Sequence, residues 1–271
     1  MGFKIAAFAD EADNRLEGQI EAMLENDVQM LEIRGVDGEN IDKISNDKAR
    51  LIRKKLDDTG LSVWSLGSPY GKISIDDDFT PHLESFKHSL EIADILGAKH
   101  IRLFSFYNAK ESGPVLERLA SFIKAAEGTD IILCHENEKG IYGDIAARCL
   151  EIHKALPQLR AVFDPANYIQ CGQDVKEAWQ LISPYVEYMH IKDALPDGTV
   201  VPSGHGIGEL PYLISQYTGS VLTVEPHLSV FKGFDELETE QKTKHSYCYP
   251  DSRAAFRAAV SALKDILERR N

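Results

Sequence analysis

The segment AAEGTDIILCHENE, residues 125–138, combines the features from which the rest of this chain is built. A helical stretch ends at Gly128, and an apolar run follows it. The segment then closes on the polar residues His135, Glu136 and Asn137. A short apolar run bounded by turn residues is typical of a strand of a parallel sheet that is buried on both faces. A carboxylate at the end of such a strand needs a partner, because burying an unpaired charge is costly.

The same helix–turn–strand pattern recurs along the chain. Gly60, Gly97 and Gly128 stand where the end of a helix needs a left-handed residue, and Asn26 can serve the same purpose. Amphipathic helical stretches lie between the strands. The pattern predicts eight strands, at residues 4–8, 29–34, 61–67, 99–106, 130–136, 160–164, 186–192 and 221–225.

Eight such units in 271 residues predict an α/β protein with a single (β/α)₈ TIM barrel that spans residues 1–271. A doubly wound open sheet is the alternative, but no G-x-G-x-x-G follows the first strand. The longest irregular segment, residues 227–250, comes after the last strand. A loop of this length in a compact domain is usually functional or mobile, and a lid over the barrel is one such role.

Composition limits the function classes. The 43 acidic residues outnumber the 30 lysines and arginines and give a formal charge of −13, which disfavours nucleic acid and anionic membranes as partners. No apolar run is long enough for a membrane span, and acidic residues follow the short apolar patch at the N-terminus, unlike in a signal peptide. The four cysteines form no C-x-x-C pair and are expected to be reduced thiols of a cytoplasmic protein.

Strands five to eight each carry one polar side chain at the C-terminal edge, where a barrel builds its active site. These side chains are Glu136, Asp164, His190 and Glu225. Because alternate residues of a strand face the same side, the residues beneath each of the four are mostly apolar or small, as the interior of a barrel requires. The same alternation points His135 away from the pore.

Each of the four side chains also has a structural explanation. Asp164 before a proline is a good helix N-cap, and a lone His190 is most often a hydrogen-bonded core histidine. Glu136 could pair with a lysine or arginine, and Glu225 could belong to an exposed turn. Taken together, however, three converging carboxylates repel one another, and burying them unpaired costs several kcal/mol per ion.

A divalent cation would satisfy this charge, and oxygen ligands with one histidine favour Mn²⁺, Mg²⁺ or Co²⁺, with Zn²⁺ also compatible. The alternative that needs no metal is a lysine or arginine at the mouth, and Lys192 could supply it.

Five motifs on successive strands and loops resemble those of a known family. They are HEN at 135–137, FDPAN at 163–167, YMHIKD at 188–193, PSGHGIGELP at 202–211 and VEPH at 224–227. In their order and placement the chain resembles, over essentially its whole length, the xylose isomerase-like barrels. The resemblance is to the sugar phosphate isomerase/epimerase group, which includes tagatose 3-epimerase-like and hydroxypyruvate isomerase-like enzymes.

This resemblance implies a metal, Mn²⁺ first among the candidates, held by Glu136, Asp164, His190 and Glu225. It also implies that the two glutamates exchange protons with a substrate through an enediolate that the metal stabilises. The implied function is a metal-dependent isomerase or epimerase of a small sugar, sugar acid or polyol ketone. Members of the family are often dimers or tetramers, so a homo-oligomer is possible by analogy.

The chain departs from the family pattern at two places. The substrate-binding histidine that usually follows the sixth strand is replaced by Asn167, and the arginine often found after the metal histidine is missing from KDALPDG, residues 192–198. We expect Asn167, Lys192 and His227 to contact the substrate. Alternatively, Lys192 pairs with Asp193 or a loop acid, and His227 only begins the lid.

Two further features leave alternatives open. The glycine-rich segment 202–211 could be a mobile loop or could cradle a phosphate with its backbone amides, and the family resemblance makes it a wall of the active site. Glu32 and Arg34 share a parity on the second strand and could reach the mouth, but a salt bridge between them inside the barrel is the commoner arrangement.

Other functions fit the same barrel. Related enzymes dehydrate inosose-type ketones, beginning with removal of the same α-proton. Apurinic endonucleases share the fold, but they use three zinc ions, more histidine ligands and a basic face, which the charge of −13 disfavours. A non-catalytic barrel that binds a metabolite is the remaining alternative.

Overall fold

All eight predicted strands are present in the computed structural model, which describes residues 2–230 and 247–270. They are β1 (Lys4–Ala7), β2 (Met30–Ile33), β3 (Ser62–Leu66), β4 (His100–Leu103), β5 (Ile132–Glu136), β6 (Arg160–Phe163), β7 (Val186–Ile191) and β8 (Val221–Val224). Each strand pairs in parallel with the next, and β8 closes the barrel on β1. The predicted single (β/α)₈ barrel is therefore confirmed.

Helices connect the strands on the outside of the barrel. They are α1 (Leu16–Glu25), α2 (Asn46–Thr59), α3 (Thr80–Leu96), α4 (Ser112–Ala126), α5 (Ala146–Ala155), α6 (Pro165–Gln170), α7 (Val175–Ile182), α8 (Leu210–Gln216) and α9 (Ser252–Glu268). Short two-stranded pairs join Gly35–Val36 with Glu39–Asn40, Asp193–Ala194 with Val200–Val201, and Ser229–Val230 with Cys248–Tyr249. Short 3₁₀ turns lie at Ala9–Glu11, Tyr142–Asp144 and Ser183–Tyr185.

Left-handed glycines follow three of the helices, as the sequence predicts. Gly60 and Gly97 follow α2 and α3 with φ of 74° and 72°, and Gly128 comes two residues after the end of α4 with φ of 83°. The expectation for Asn26 is wrong, because its φ is −103° and the next residue, Asp27, takes the left-handed conformation at 51°. The Asn26 side chain donates a hydrogen bond to the carbonyl of Ala22, which keeps Asn26 on the last turn of α1.

The apolar residues form two separate cores. The larger one fills the space between the outer face of the barrel and the helices. The smaller one lies inside the barrel and consists of Cys134, Val162 and Tyr188, with Trp64 and Ile132 packed against it. Because side chains alternate along each strand, the polar residues two positions further on emerge above this inner core, at the C-terminal mouth.

The predicted lid, residues 227–250, falls mostly on 231–246, which lie outside the described residues. The segments that flank this gap pair in parallel, Ser229 opposite Cys248 and Val230 opposite Tyr249. All four cysteines are free thiols. No helix in the described part of the chain has the length and apolarity that a bilayer crossing requires.

Candidate metal centre

Four strand-end side chains meet at the mouth of the barrel. Glu136 is the last residue of β5, His190 lies near the end of β7, and Asp164 and Glu225 directly follow β6 and β8. Each offers a ligand atom, and these atoms all lie within 4.8 Å of one another. The structure thus brings together all four residues that the sequence selects as metal ligands.

The imidazole of His190 has two distinct sides. Its Nδ1 lies 3.0 Å from Glu136 Oε1, 3.6 Å from Glu225 Oε2 and 4.0 Å from Asp164 Oδ2. Its Nε2 faces away from these groups, toward Glu32 Oε2 at 3.2 Å. Burial opposes the charged ring, but Glu136 and Glu32 outweigh it and raise the pKa of His190 well above its ordinary value. Because Nδ1 faces the three carboxylates, it is the nitrogen that His190 can offer to a cation.

Asp164 uses its two oxygens differently. Oδ1 accepts the backbone N–H of Asn167 at 2.9 Å and caps α6, which begins at Pro165. Oδ2 points into the site, 2.7 Å from Lys192 Nζ. The side-chain amide of Asn137 holds the Asp164 backbone, because it donates to the carbonyl and accepts from the N–H, both at 2.9 Å. Asp164 therefore caps α6 with one oxygen and faces the site with the other, so the two interpretations of this residue are compatible.

Glu136 is held at both oxygens. Oε2 accepts a hydrogen bond from Arg102 Nη1 at 2.6 Å, and Oε1 lies 3.2 Å from the Asn167 amide nitrogen that donates to it. Burial raises its pKa, but His190 and Arg102 outweigh burial and keep it below the ordinary value. The sequence analysis missed Arg102. The signal that could have found it is an arginine between the apolar residues Ile101 and Leu103 of β4, which has to pair with an acid if it is buried.

Lys192 lies between two of the carboxylates. Its Nζ is 2.7 Å from Asp164 Oδ2 and 2.7 Å from Glu225 Oε2. Burial lowers the pKa of an ammonium group, but Asp164 and Glu225 outweigh it and raise the pKa of Lys192. The alternative in which Lys192 pairs with Asp193 is not what the structure shows. Lys192 instead belongs to the floor of the site.

His227 and Arg34 reach Glu225 from the rim. Both His227 Nε2 and Arg34 Nη1 lie 3.7 Å from Glu225 Oε1. The side chain of His227 is 43% exposed, and its Nε2 also lies 3.1 Å from Glu11 Oε1. Burial raises the pKa of Glu225, but Lys192 and His227 outweigh it and hold it well below its ordinary value. His227 therefore stands where it can meet both solvent and a molecule that enters the mouth.

The expected salt bridge between Glu32 and Arg34 is wrong. Arg34 lies beyond the end of β2, and its guanidinium bonds to Asp10 at 2.8 Å and to Glu11 at 3.2 Å on the rim. Glu32 lies inside the barrel and is fully buried. It accepts a hydrogen bond from the hydroxyl of Tyr188 at 2.8 Å. Equal strand parity did not make the two residues partners, because Arg34 starts one layer higher than Glu32 and reaches the rim of the mouth, 3.7 Å from Glu225.

The glycine-rich segment 202–211 is organised around an internal carboxylate. Asp193 accepts the backbone N–H groups of Gly204, Gly206 and Gly208 at 2.9, 3.0 and 2.8 Å. Three convergent amides are the type of site that binds a phosphate. Here those three amides are bonded to Asp193, so they do not form the phosphate cradle that the sequence left open.

The charges of the mouth fit a divalent cation. Four buried carboxylates, Glu32, Glu136, Asp164 and Glu225, face two buried cations, Arg102 and Lys192. Burial raises the pKa of Asp164 to about 7, and Lys192 offsets this only in part. A protonated His190 would supply one of the two missing positive charges, and a divalent ion supplies both. Three carboxylates and one imidazole are a donor set suited to Mn²⁺, Mg²⁺ or Zn²⁺.

Solved structures with the same architecture include three informative ones. The IolI protein with a zinc atom aligns over 98% of this chain and 98% of its own, with a TM-score of 0.74 and 15% identity. The probable 3-DHS dehydratase AsbF of Bacillus anthracis aligns over 97% and 99%, with a TM-score of 0.73 and 15% identity. An L-ribulose 3-epimerase aligns over 99% and 95%, with a TM-score of 0.71 and 15% identity. At these identities the likeness establishes the fold alone.

Sequence comparison gives the family. No curated protein matches the chain significantly in sequence. The family model described as xylose isomerase-like TIM barrel matches residues 20–226, which is most of the chain and includes all four strand-end residues. The chain therefore belongs to the xylose isomerase-like TIM barrel family.

Proposed function

We propose that this protein is a metal-dependent isomerase or epimerase of a small sugar, sugar acid or polyol ketone. The observation that carries the proposal is the convergence of Glu136, Asp164, His190 and Glu225 at the mouth, with ligand atoms within 4.8 Å of one another. These four residues would hold the cation, with Mn²⁺ the first candidate. When bound there, a divalent ion supplies Lewis-acid polarisation of a carbonyl and stabilises the charge of an enediolate.

Glu136 and Glu225 are the proposed proton carriers. Their neighbours keep the pKa of each carboxyl low, so each can start as a carboxylate that accepts a proton. One of them takes the proton from the carbon beside the carbonyl, and the electron pair of the broken C–H bond forms the enediolate. The other takes up a proton from solvent and passes it to the opposite face in an epimerisation or to the neighbouring carbon in an isomerisation, and the first then releases its proton to solvent.

Three side chains are proposed to hold the substrate. The buried Oδ1 of Asn167 has no hydrogen-bond partner among the described residues and can accept a bond from a hydroxyl group. Lys192 can donate to a substrate oxygen from the floor of the site, and His227 can do so from the rim. A small carbohydrate supplies hydroxyl groups for all three, which supports this class of substrate.

Proton exchange with solvent tests the proposal directly. The purified protein, with and without Mn²⁺, is incubated with a panel of small ketoses and inososes in D₂O, and the products are followed by proton NMR. We expect Mn²⁺-dependent loss of the signal of the proton beside the carbonyl for at least one compound, with conversion to an isomer or epimer. Loss of a hydroxyl group from the product would instead establish a dehydratase. No exchange with any ketone would contradict the proposed chemistry.

A further inference from the structure

A buried carboxylate lies beneath the metal centre, on the far side of its histidine. Glu32 Oε2 is 3.2 Å from His190 Nε2, and Glu32 Oε1 accepts the hydroxyl hydrogen of Tyr188 at 2.8 Å. Ser65 Oγ lies 3.2 Å from the same hydroxyl oxygen. All four side chains are buried. The proton-transfer chemistry proposed above uses neither Glu32 nor Tyr188, so both need another role.

The geometry links Glu32 to the tautomer of His190. A neutral imidazole carries one proton, and the hydrogen bond made by one nitrogen decides which nitrogen is free to bind a metal. Nδ1 faces the three carboxylates of the mouth, and Nε2 faces Glu32. A carboxylate accepts hydrogen bonds, so when a cation at the mouth engages Glu136 and Nδ1, Glu32 holds the remaining proton of His190 on Nε2. A carboxylate at this place also makes the imidazole a more basic ligand.

We propose that Glu32 is a positioning residue of the metal centre, and that Tyr188 orients it. Glu32 fixes the Nε2–H form of His190 and directs Nδ1 to the cation, and so it raises metal affinity. Tyr188 lies two residues before His190 on β7 and faces the same interior, where its hydroxyl holds Glu32 in place. This inference rests on the metal site of the proposed function.

The barrel contains a matched pair for comparison. Glu187 Oε1 lies 3.2 Å from His100 Nε2, the same contact at the same distance. Glu187 lies at the start of β7, whereas His190 lies near its end, so the two pairs are at opposite ends of the barrel. Glu187→Gln thus removes a carboxylate from a histidine without touching the mouth.

The test measures the dissociation constant of Mn²⁺ by isothermal titration calorimetry for the wild type, Glu32→Gln and Glu187→Gln. We expect Glu32→Gln to weaken binding about 10- to 100-fold, the usual effect of removing such a partner, and Glu187→Gln to leave it unchanged. Visible absorption of the Co²⁺-loaded proteins adds a spectroscopic signature, because a displaced histidine changes the spectrum and a loss of stability alone does not. Circular dichroism without metal verifies that each variant is folded.

Each outcome decides the inference. Equal Mn²⁺ affinity of the wild type and Glu32→Gln overturns it and leaves the proposed function standing. If Glu32→Gln does not fold, Tyr188→Phe replaces it, because this change keeps Glu32 and removes the hydroxyl that orients it. A severalfold loss of affinity then supports the inference, and an unchanged affinity overturns it. If the wild type binds no Mn²⁺, the proposed function fails and this inference fails with it.

Discussion

The two ends of the barrel interior are built from the same kinds of residue but differ in charge balance. Each end holds a buried histidine 3.2 Å from a glutamate, His190 with Glu32 near the mouth and His100 with Glu187 near the base. At the base, Glu187 also bonds to Arg160 at 3.2 Å, so its carboxylate is matched by a permanent cation. At the mouth, the four buried carboxylates face two buried cations, Arg102 and Lys192.

This difference shows that residue type alone does not make a functional site. The base is packed with aromatic rings, where Trp64 stacks on His100 with ring centroids 4.0 Å apart. The mouth keeps acidic groups close together although they repel one another, an arrangement that is typical of functional sites. In barrels of this kind the base typically serves stability and the mouth serves chemistry.

The largest difference between the two ends is expected in turnover. Glu136→Gln and Glu225→Gln should each lower kcat about 10²- to 10⁴-fold, because each removes a proposed proton carrier. Glu187→Gln at the base should leave kcat unchanged. The measurement is the rate on a ketone that the wild type converts. Full turnover by both mouth variants would show that neither glutamate moves a proton.

A large effect on stability is expected at Lys192. Lys192→Met leaves Asp164 and Glu225 without their shared cation, and breaking a buried ion pair costs about 3–5 kcal/mol. Urea unfolding of the metal-free protein measures this loss of free energy of unfolding. Added Mn²⁺ should recover part of it, since the cation replaces the missing charge. A metal-free variant as stable as the wild type would show that the mouth does not depend on Lys192.

Asp164→Asn separates the two roles of this side chain. Asparagine caps helices as well as aspartate does, and Lys192 keeps its contact with Glu225, so the metal-free variant should remain folded and lose less stability than Lys192→Met. The variant should not bind the cation. Mn²⁺ at 100 times the wild-type dissociation constant should add about 2.7 kcal/mol to the free energy of unfolding of the wild type and nothing to the variant. Equal stabilisation of both proteins would reduce Asp164 to a helix cap.

The smallest effect is expected at Arg160. Its side chain is 35% exposed and that of Glu187 is 26% exposed, so water screens their attraction. Arg160→Met should cost less than about 1 kcal/mol, as is usual for exposed ion pairs. The same urea titration that is used for Lys192→Met measures it. A cost as large as that of Lys192→Met would remove the contrast between the two ends.

Local chemistry made the fold and the four strand-end residues predictable. Short apolar runs after glycines such as Gly60 and Gly97 mark strands, and alternation along each strand then decides which side chains enter the pore. His135 illustrates the alternation, because it lies outside the pore against His153, with ring centroids 5.6 Å apart. These signals depend only on neighbours in sequence, which is why they can be recognised without a structure.

Partners that come from distant strands were not predictable in the same way. Arg102 on β4 bonds to Glu136 at the end of β5, 34 positions later, and Glu32 on β2 contacts His190 on β7, 158 positions later. The salt bridge expected between Glu32 and Arg34 fails because barrel closure offers each of them a better partner. Side-chain pairing depends on distances across the barrel, and no local pattern encodes them.

By itself, the sequence determined the order of the strands, the face of each strand that enters the pore, and the edge at which the acidic residues collect. Hydrophobic periodicity and turn chemistry are local properties, so the order of the residues is enough to recognise them. Only the tertiary structure decided that Lys192 bridges Asp164 and Glu225, that Asp193 accepts the amides of the glycine-rich segment, and that Glu32 contacts His190 from inside the barrel. Charge compensation in a closed barrel depends on which side chains meet in space, and closure alone brings them together.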